Sequence, residues 1–414
     1  MSTATRRPGP ARLPRLAVLG AVTAFAMIGL QQALYGPAIP QLREAHGITA
    51  AGAAIALSVH FAGAIIGVLA MPLARRLGVP DGRFLACSLV AFAVGTLAFP
   101  LAPQWPYALL AAFVAGVGFG GLDGGVNQVF TEVYAVGGHG MLNLLHGCFG
   151  AGAVVGPIAV GLLPGYGWSF AGCALLALLA LPGLRALSGS PRPARRAQTA
   201  DGSAEPTPGT AVGGGTRRRA FPVGTALSLG FLLFFVLHVG LETGAAGWET
   251  THLIATGWSA SSAATATAGF WLAFTAARFA VVPLCRRYPA RVIVFACTGL
   301  TVLAAAATLV DPLAPVGYAL LGAAVGPLFP TGLAWLAEYR PGLTPTVVAV
   351  SMAGGIALPP AIGVAVGLAG PTAIAWAMVL MALAGLGTVL GLARLRPARS
   401  GPVAPAVDVD AAQV

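Results

Sequence analysis

Two acids, Asp123 and Glu242, stand far inside long apolar stretches of this chain, and each has a polar partner one helical turn away. Asn127 follows Asp123 by four residues, and His238 precedes Glu242 by four. Residues at that spacing share a helix face. A charged side chain at the centre of a membrane helix costs about 2.5 to 3.5 kcal/mol on insertion scales, so such residues persist where they face a cavity or a partner. Burial disfavours the ionised form of a carboxyl group. Asp123 could therefore exchange a proton while the Asn127 amide binds solute hydroxyls, and His238 could share a proton with Glu242. Each pair also has a plainer reading. Asp123 and Asn127 could tie their helix to a neighbour by a hydrogen bond. Trp248 and Glu249, within two turns of Glu242, could place that acid at a water boundary, where tryptophan is common.

Other polar groups interrupt the apolar runs. Asn143 and His146 are three apart, and they either face a bundle interior or satisfy loop carbonyls at a helix entry. Gln31 and Tyr35 supply an amide and a phenol one turn apart, suited to sugar hydroxyls, while Gln32 could be structural glue. Trp271 could stack on the apolar face of a sugar ring and Phe329 could line the same chamber; packing or lipid contact is the alternative for both. His60, alone among Ala, Gly and Ile, is expected as a tolerated interior imidazole. Arg278 lies close to Arg286 in sequence and fits a gate or a snorkelling side chain better than a substrate ligand. There is no nucleophile and base pair, no metal-ligand spacing and no GxxxxGK[ST] loop, so no enzyme, cofactor or metal is expected. The five cysteines form no CxxC pair, which indicates neither a disulfide frame nor a zinc site.

These residues must be positioned by elements that live in lipid. Of 414 residues, 57% are hydrophobic and 8% charged, too little polar surface to coat a soluble globule. Apolar runs of roughly 20 residues, enough to cross a bilayer, begin near Leu16, Ile48, Phe84, Pro106, Met141, Gly167, Phe221, Ser259, Arg291, Pro315, Leu343 and Pro371. With no water to satisfy backbone amides, unbroken runs of this length must be helices. The expected fold is all-α, with about twelve transmembrane helices. The first run follows basic residues as a signal peptide would, but it continues to about Pro40 without a small-residue cleavage site and is taken as a retained span.

A net charge of +11 could point to nucleic acid, but the arginines fall in alternate connections and not on one face. They cluster before span one, after span two (Arg75, Arg76), between spans six and seven, after span eight (Arg286, Arg287) and at the tail, with Arg43 alone on the opposite side. The positive-inside rule then puts both termini and the middle linker in the cytoplasm. The absence of lysine is read as codon usage and not as chemistry. Expected boundaries are a cytoplasmic segment 1–14, a six-helix bundle 15–188, a Gly/Pro/Ser/Thr/Arg-rich linker 189–220, a second six-helix bundle 221–396 and a disordered tail 397–414.

The two halves echo each other. Pro72-Leu-Ala-Arg75-Arg76 recurs 211 residues later as Pro283-Leu-Cys-Arg286-Arg287, and Gly116, Gly120 and Glu132 recur as Gly322, Gly326 and Glu338 at a constant offset of 206. Internal repeats of this kind build many secondary transporters. Gly156-Pro157, Pro327, Pro330 and Pro359-Pro360 would permit bends where such bundles open.

Six strings in chain order resemble the major facilitator superfamily and, within it, the fucose and glucose type of sugar symporter. They are Gly118-Phe-Gly120-Gly-Leu-Asp123-Gly-Gly-Val-Asn127; Leu142-Asn143-Leu-Leu-His146 with Gly150, Gly156 and Pro157; Val239-Gly240-Leu-Glu242 with Trp248; Phe270-Trp271 with Arg278; Gly326-Pro-Leu-Phe329-Pro330; and Gly354-Gly355 with Pro359 and Gly363. His238 stands where that group usually has tyrosine. The resemblance implies two pseudo-symmetric six-helix bundles rocking about a central site lined by spans one, four, seven and ten. Against the superfamily's Gly-x-Leu-Ala-Asp-Arg-x-Gly loop, Met71 replaces the glycine and Arg75 the acid that helps lock the cytoplasmic gate.

The leading expectation is a monomeric, multi-pass carrier of the cytoplasmic membrane. It would move a small polar solute such as a sugar, with protons or alternatively sodium as the coupling ion, and Arg75, Arg76, Arg278, Arg286 and Arg287 as gate residues. One alternative is a proton antiporter exporting a drug or secondary metabolite, because Gly152, Gly156, Pro157 and Gly161 resemble the antiporter motif of span five. Another is a sensor on the same fold that no longer transports, supported by Arg75.

Overall fold

The computed structural model describes residues 13–134, 139–187 and 223–395. The middle linker, the tail and all of the N-terminal segment except Leu13 and Pro14 fall outside them. Twelve helices among the described residues are long and apolar enough to cross a membrane. They are α1 (Arg15–His46), α2 (Ala50–Arg76), α3 (Asp81–Leu101), α4 (Trp105–Val133), α5 (His139–Leu162), α6 (Tyr166–Ala186), α7 (Val223–Ala255), α8 (Ala260–Cys285), α9 (Ala290–Ala307), α10 (Asp311–Ala337), α11 (Thr344–Ala369) and α12 (Ala373–Arg394). α1–α6 form one bundle and α7–α12 the other. The arginine-rich connections share one end of the molecule, the basic end; the other is the far end.

Because lipid tails are as apolar as leucine, helices in a bilayer associate by close packing and not by a hydrophobic drive. The repeated glycines supply it. Gly116 and Gly120 of α4 lie against the backbone carbonyls of His60 and Ala64 of α2; Gly322 and Gly326 of α10 lie against those of Phe270 and Phe274 of α8. A Cβ at any of the four would collide with main chain. The duplication reaches the helix ends as well. Thr49 caps α2 by accepting from Gly52 N–H at 3.0 Å, and Ser259 caps α8 by accepting from Ser262 N–H at 3.1 Å. Gly47 (φ 62°) and Gly257 (φ 97°) end α1 and α7 in left-handed turns, a conformation that glycine adopts without steric cost.

Contacts between the bundles concentrate in the far half. Gly36 of α1 abuts the Ala246 carbonyl of α7, and Gly363 of α11 meets Ala50 and Ala51 of α2. Nearer the middle, Ser58 of α2 donates to the Ile356 carbonyl of α11 at 2.5 Å. α5 and α8 touch from Gly161 and Ser261 at the far end to Gly147 and Phe279. The cleft between the bundles therefore opens toward the basic end. α10 is broken where Gly326-Pro327 separates Ala314–Val325 from Leu328–Ala337.

Candidate functional site

The break in α10 positions a cation. A helical Gly326 carbonyl would accept from the N–H of residue 330, but Pro330 has none. Arg278 of α8 fills the vacancy: its Nε donates to the Gly326 oxygen at 3.0 Å, and its guanidinium carbon lies 4.2 Å from the Phe274 ring centroid. Held this way, Arg278 lies within electrostatic reach of Asp123 on α4, Glu242 on α7 and His146 on α5. Sequence spacing pointed to a gate or snorkelling role for Arg278; the structure sets it between the bundles, tied to α10. The signal that could have found it is Pro330 four residues after Gly326.

The two expected pairs form. Asn127 Nδ2 donates to Asp123 Oδ1 at 3.1 Å, and His238 Nε2 lies 3.5 Å from Glu242 Oε2. Asp123, Asn127, Glu242 and Arg278 are all part-exposed and His146 is exposed, its ring edge-on to Phe25 at 5.9 Å. Their exposure is to the cleft. Phe329 of α10 is part-buried beside it, 5.6 Å from His238 and 5.2 Å from Phe235 between ring centroids. The Asn143 side chain lies outside the described residues.

Three expected groups are buried in this conformation. Gln31 and Tyr35, expected at the solute, are 0% and 1% exposed. Gln31 Nε2 donates to the Tyr35 hydroxyl at 3.0 Å, and that hydroxyl lies 3.5 Å from His60 Nδ1. Tyr35 also packs on Phe99 and Phe170, so the group lies in the interior of the first bundle, where Gln31 Oε1 has no hydrogen-bonding partner. Trp271 is 1% exposed and faces Phe149 across the α5–α8 seam; it closes the seam here and does not line the cleft. Trp248 and Glu249 do not mark a water boundary, both being 0% exposed, with the Trp248 indole N–H donating to the Pro359 carbonyl at 3.0 Å.

The basic-end arginines divide. Arg75 binds Asp81 at the start of α3 through two hydrogen bonds (3.0 and 2.9 Å) and Glu132 at the end of α4 through two more (2.5 and 3.1 Å). This cluster joins three helices of one bundle. Arg76, Arg286 and Arg287 are exposed and pair with no described residue.

Two six-helix bundles around a polar cleft closed at one end define a multi-pass membrane transporter. The chain belongs to the Major Facilitator Superfamily, whose family model matches residues 21–252, more than half of it. No curated protein sequence matches it. Among solved structures, it is similar to a D-xylose-proton symporter (12% identity, 92% of this chain and 98% of that one, TM-score 0.72). It is similar also to the nucleoside transporter NupG (11% identity, 92% and 99%, TM-score 0.71) and to the E. coli fucose:proton symporter (16% identity, 94% and 100%, TM-score 0.61). At these identities the likeness is one of fold.

Proposed function

We propose that the protein is a secondary active transporter that carries a small polyhydroxylated solute, a sugar or sugar-bearing compound, through the cytoplasmic membrane in step with protons. The observation that carries this reading is Arg278 set among Asp123, Glu242 and His146. Two carboxyl groups answer one guanidinium, so with neutral imidazoles the cleft has one negative charge too many for a low-dielectric interior. A bound proton removes the excess. Asp123 is the coupling group by this argument, with His238 beside Glu242 as a second place for the proton. Asn127, His146 and Arg278 offer donors and acceptors for hydroxyl groups, as expected of a site in which a few placed polar groups fix the ligand.

The basic end is taken as cytoplasmic, so the cleft faces inward. The fold neighbours named for D-xylose, fucose and nucleoside transport all handle solutes built on sugar rings, which favours this substrate class. The span-five glycines of the antiporter motif are used in packing: Gly152 lies against the Ala26 carbonyl of α1 and Gly161 against Ser261 of α8.

The test is uptake into liposomes carrying the purified protein under an imposed pH gradient, with labelled sugars, nucleosides and hydrophobic amines. Acid-driven uptake of a sugar or nucleoside supports the reading. Amine expulsion would instead establish an antiporter, and no flux of any solute a sensor. Asp123→Asn is expected to abolish accumulation while counterflow exchange persists; accumulation that survives removes Asp123 from the coupling role.

A further inference from the structure

Among the described residues, Glu249 is the one fully buried acid. It lies on α7 seven residues beyond Glu242, so on the same face and roughly 10 Å further along the axis, and it is 0% exposed. Neither carboxyl oxygen has a hydrogen-bonding partner. The neighbouring Thr267 hydroxyl of α8 is engaged with Thr250 at 2.9 Å and with the Ala263 carbonyl at 3.4 Å. On the α10 side stands Tyr318, also buried, whose hydroxyl is 3.1 Å from His252 Nδ1; Asp311 acts on that imidazole from beyond. No described cation pairs with Glu249, and Arg278 answers Asp123 and Glu242 instead.

A carboxylate without a counter-ion, with the engaged Thr267 hydroxyl as its one neighbouring donor, is among the costliest groups to hold in a dry interior, and a neutral carboxylic acid avoids most of that cost. Glu249 also lies two residues from Gly247 and three from Ala246, where α7 presses on Gly36 of α1 to close the far half. Separating those helices is the step that would bring water toward it.

We infer that Glu249 is a second proton-binding site of the carrier, holding a proton while the far half is closed and exchanging it when α1 and α7 part. This deepens the carrier reading, since only a protein that alternates between two openings would load and unload such a group.

Infrared difference spectroscopy of the purified protein at neutral pH tests it without any solute. Wild type minus Glu249→Gln should show the carbonyl stretch of a protonated carboxylic acid, the glutamine variant being close to isosteric with the neutral acid and retaining a wild-type gel-filtration profile. The same subtraction is then made in a Gly36→Trp background, where no side chain fits against the Ala246 carbonyl, so the far half is wedged open; Gly161→Trp at the α5–α8 seam serves if the first variant does not fold. Labelling of a thiol introduced as Ala51→Cys, identified by peptide mass, verifies the opening. In the wedged protein the band should disappear or shift.

A difference spectrum showing only ionised carboxylate overturns the inference. So does a band unchanged by the wedge, which would make Glu249 a fixed structural acid, or one abolished by sodium, which would make the site a cation site. A protein that moves nothing in liposomes would sink the carrier reading, whereas the infrared result stands or falls independently.

Discussion

The two bundles share their packing and differ in where they keep their charges. In both, a glycine pair brings the fourth or tenth helix onto carbonyls of the second or eighth, with matching caps at Thr49 and Ser259. The first bundle uses its ions at the basic end, where Arg75 binds Asp81 and Glu132, and its buried polar group of Gln31, Tyr35 and His60 carries no acid. In the second bundle the counterpart of Asp81, directly after the proline that precedes the helix, is Ala290. Glu338 and Arg286 are exposed and pair with no described residue. Its interior holds Glu242, Arg278 and Glu249, where the first bundle offers Asp123 alone. Duplication preserved what steric contact enforces and released what it does not, so that one half is braced by ion pairs at its basic end and the other is not.

The most severe way to break this comparison is to attack what the halves share. Gly120→Leu and Gly326→Leu each drive a side chain into a backbone carbonyl, of Ala64 and of Phe274; overpacking costs typically about 1 to 3 kcal/mol and more against main chain. Both variants should lose the monodisperse gel-filtration peak in detergent. A variant that keeps it would show that its half is not glycine-packed.

Arg278→Gln comes next. It removes the cation facing Asp123 and Glu242 and leaves the Gly326 carbonyl with a weaker donor at best, so gradient-driven accumulation in liposomes should fall at least about tenfold, equivalent to about 1.4 kcal/mol. Accumulation at the wild-type level would place the working charge elsewhere.

Arg75→Ala and Arg286→Ala then compare the two basic ends directly. The first loses bonds to two carboxylates at a side chain 20% exposed, with an expected loss of about 1 to 2 kcal/mol. The second should stay within about 0.5 kcal/mol, as surface substitutions do. Thermal unfolding of the purified variants measures both, and equal losses would erase the asymmetry.

The smallest effect would sharpen the comparison by repairing the missing acid. Ala290→Asp places a carboxylate where α9 begins, in the position that Asp81 occupies on α3. A gain of up to about 1 kcal/mol is expected, read as a raised unfolding temperature that vanishes when Arg286 is also replaced by alanine.

Much of this was legible in the chain. Span number, helix type and the duplicated halves follow from apolar run length and from Gly116, Gly120 and their echoes, because a bilayer leaves the backbone one solution and glycine marks close approach. Local pairs were equally readable: Asp123 with Asn127, and His238 with Glu242, meet because four residues make about one turn. What spacing could not supply is direction across helices. Gln31 and Tyr35 share a face as expected, but the face turns into its own bundle. Glu249 was passed over beside Trp248 although it lies two turns from Glu242 on the same helix, since an acid near a tryptophan reads as a water boundary until the surrounding helices are known.

The sequence alone determined that the protein crosses the membrane about twelve times in two related halves, because hydrocarbon thickness and backbone hydrogen bonding act on each segment separately. Only the tertiary structure decided which polar groups meet. Whether an acid faces a cleft, a neighbouring tyrosine or a cation depends on how six helices are rotated against six others, and that rotation is set by contacts between residues more than a hundred positions apart, such as Gly36 with Ala246 and Ser58 with Ile356.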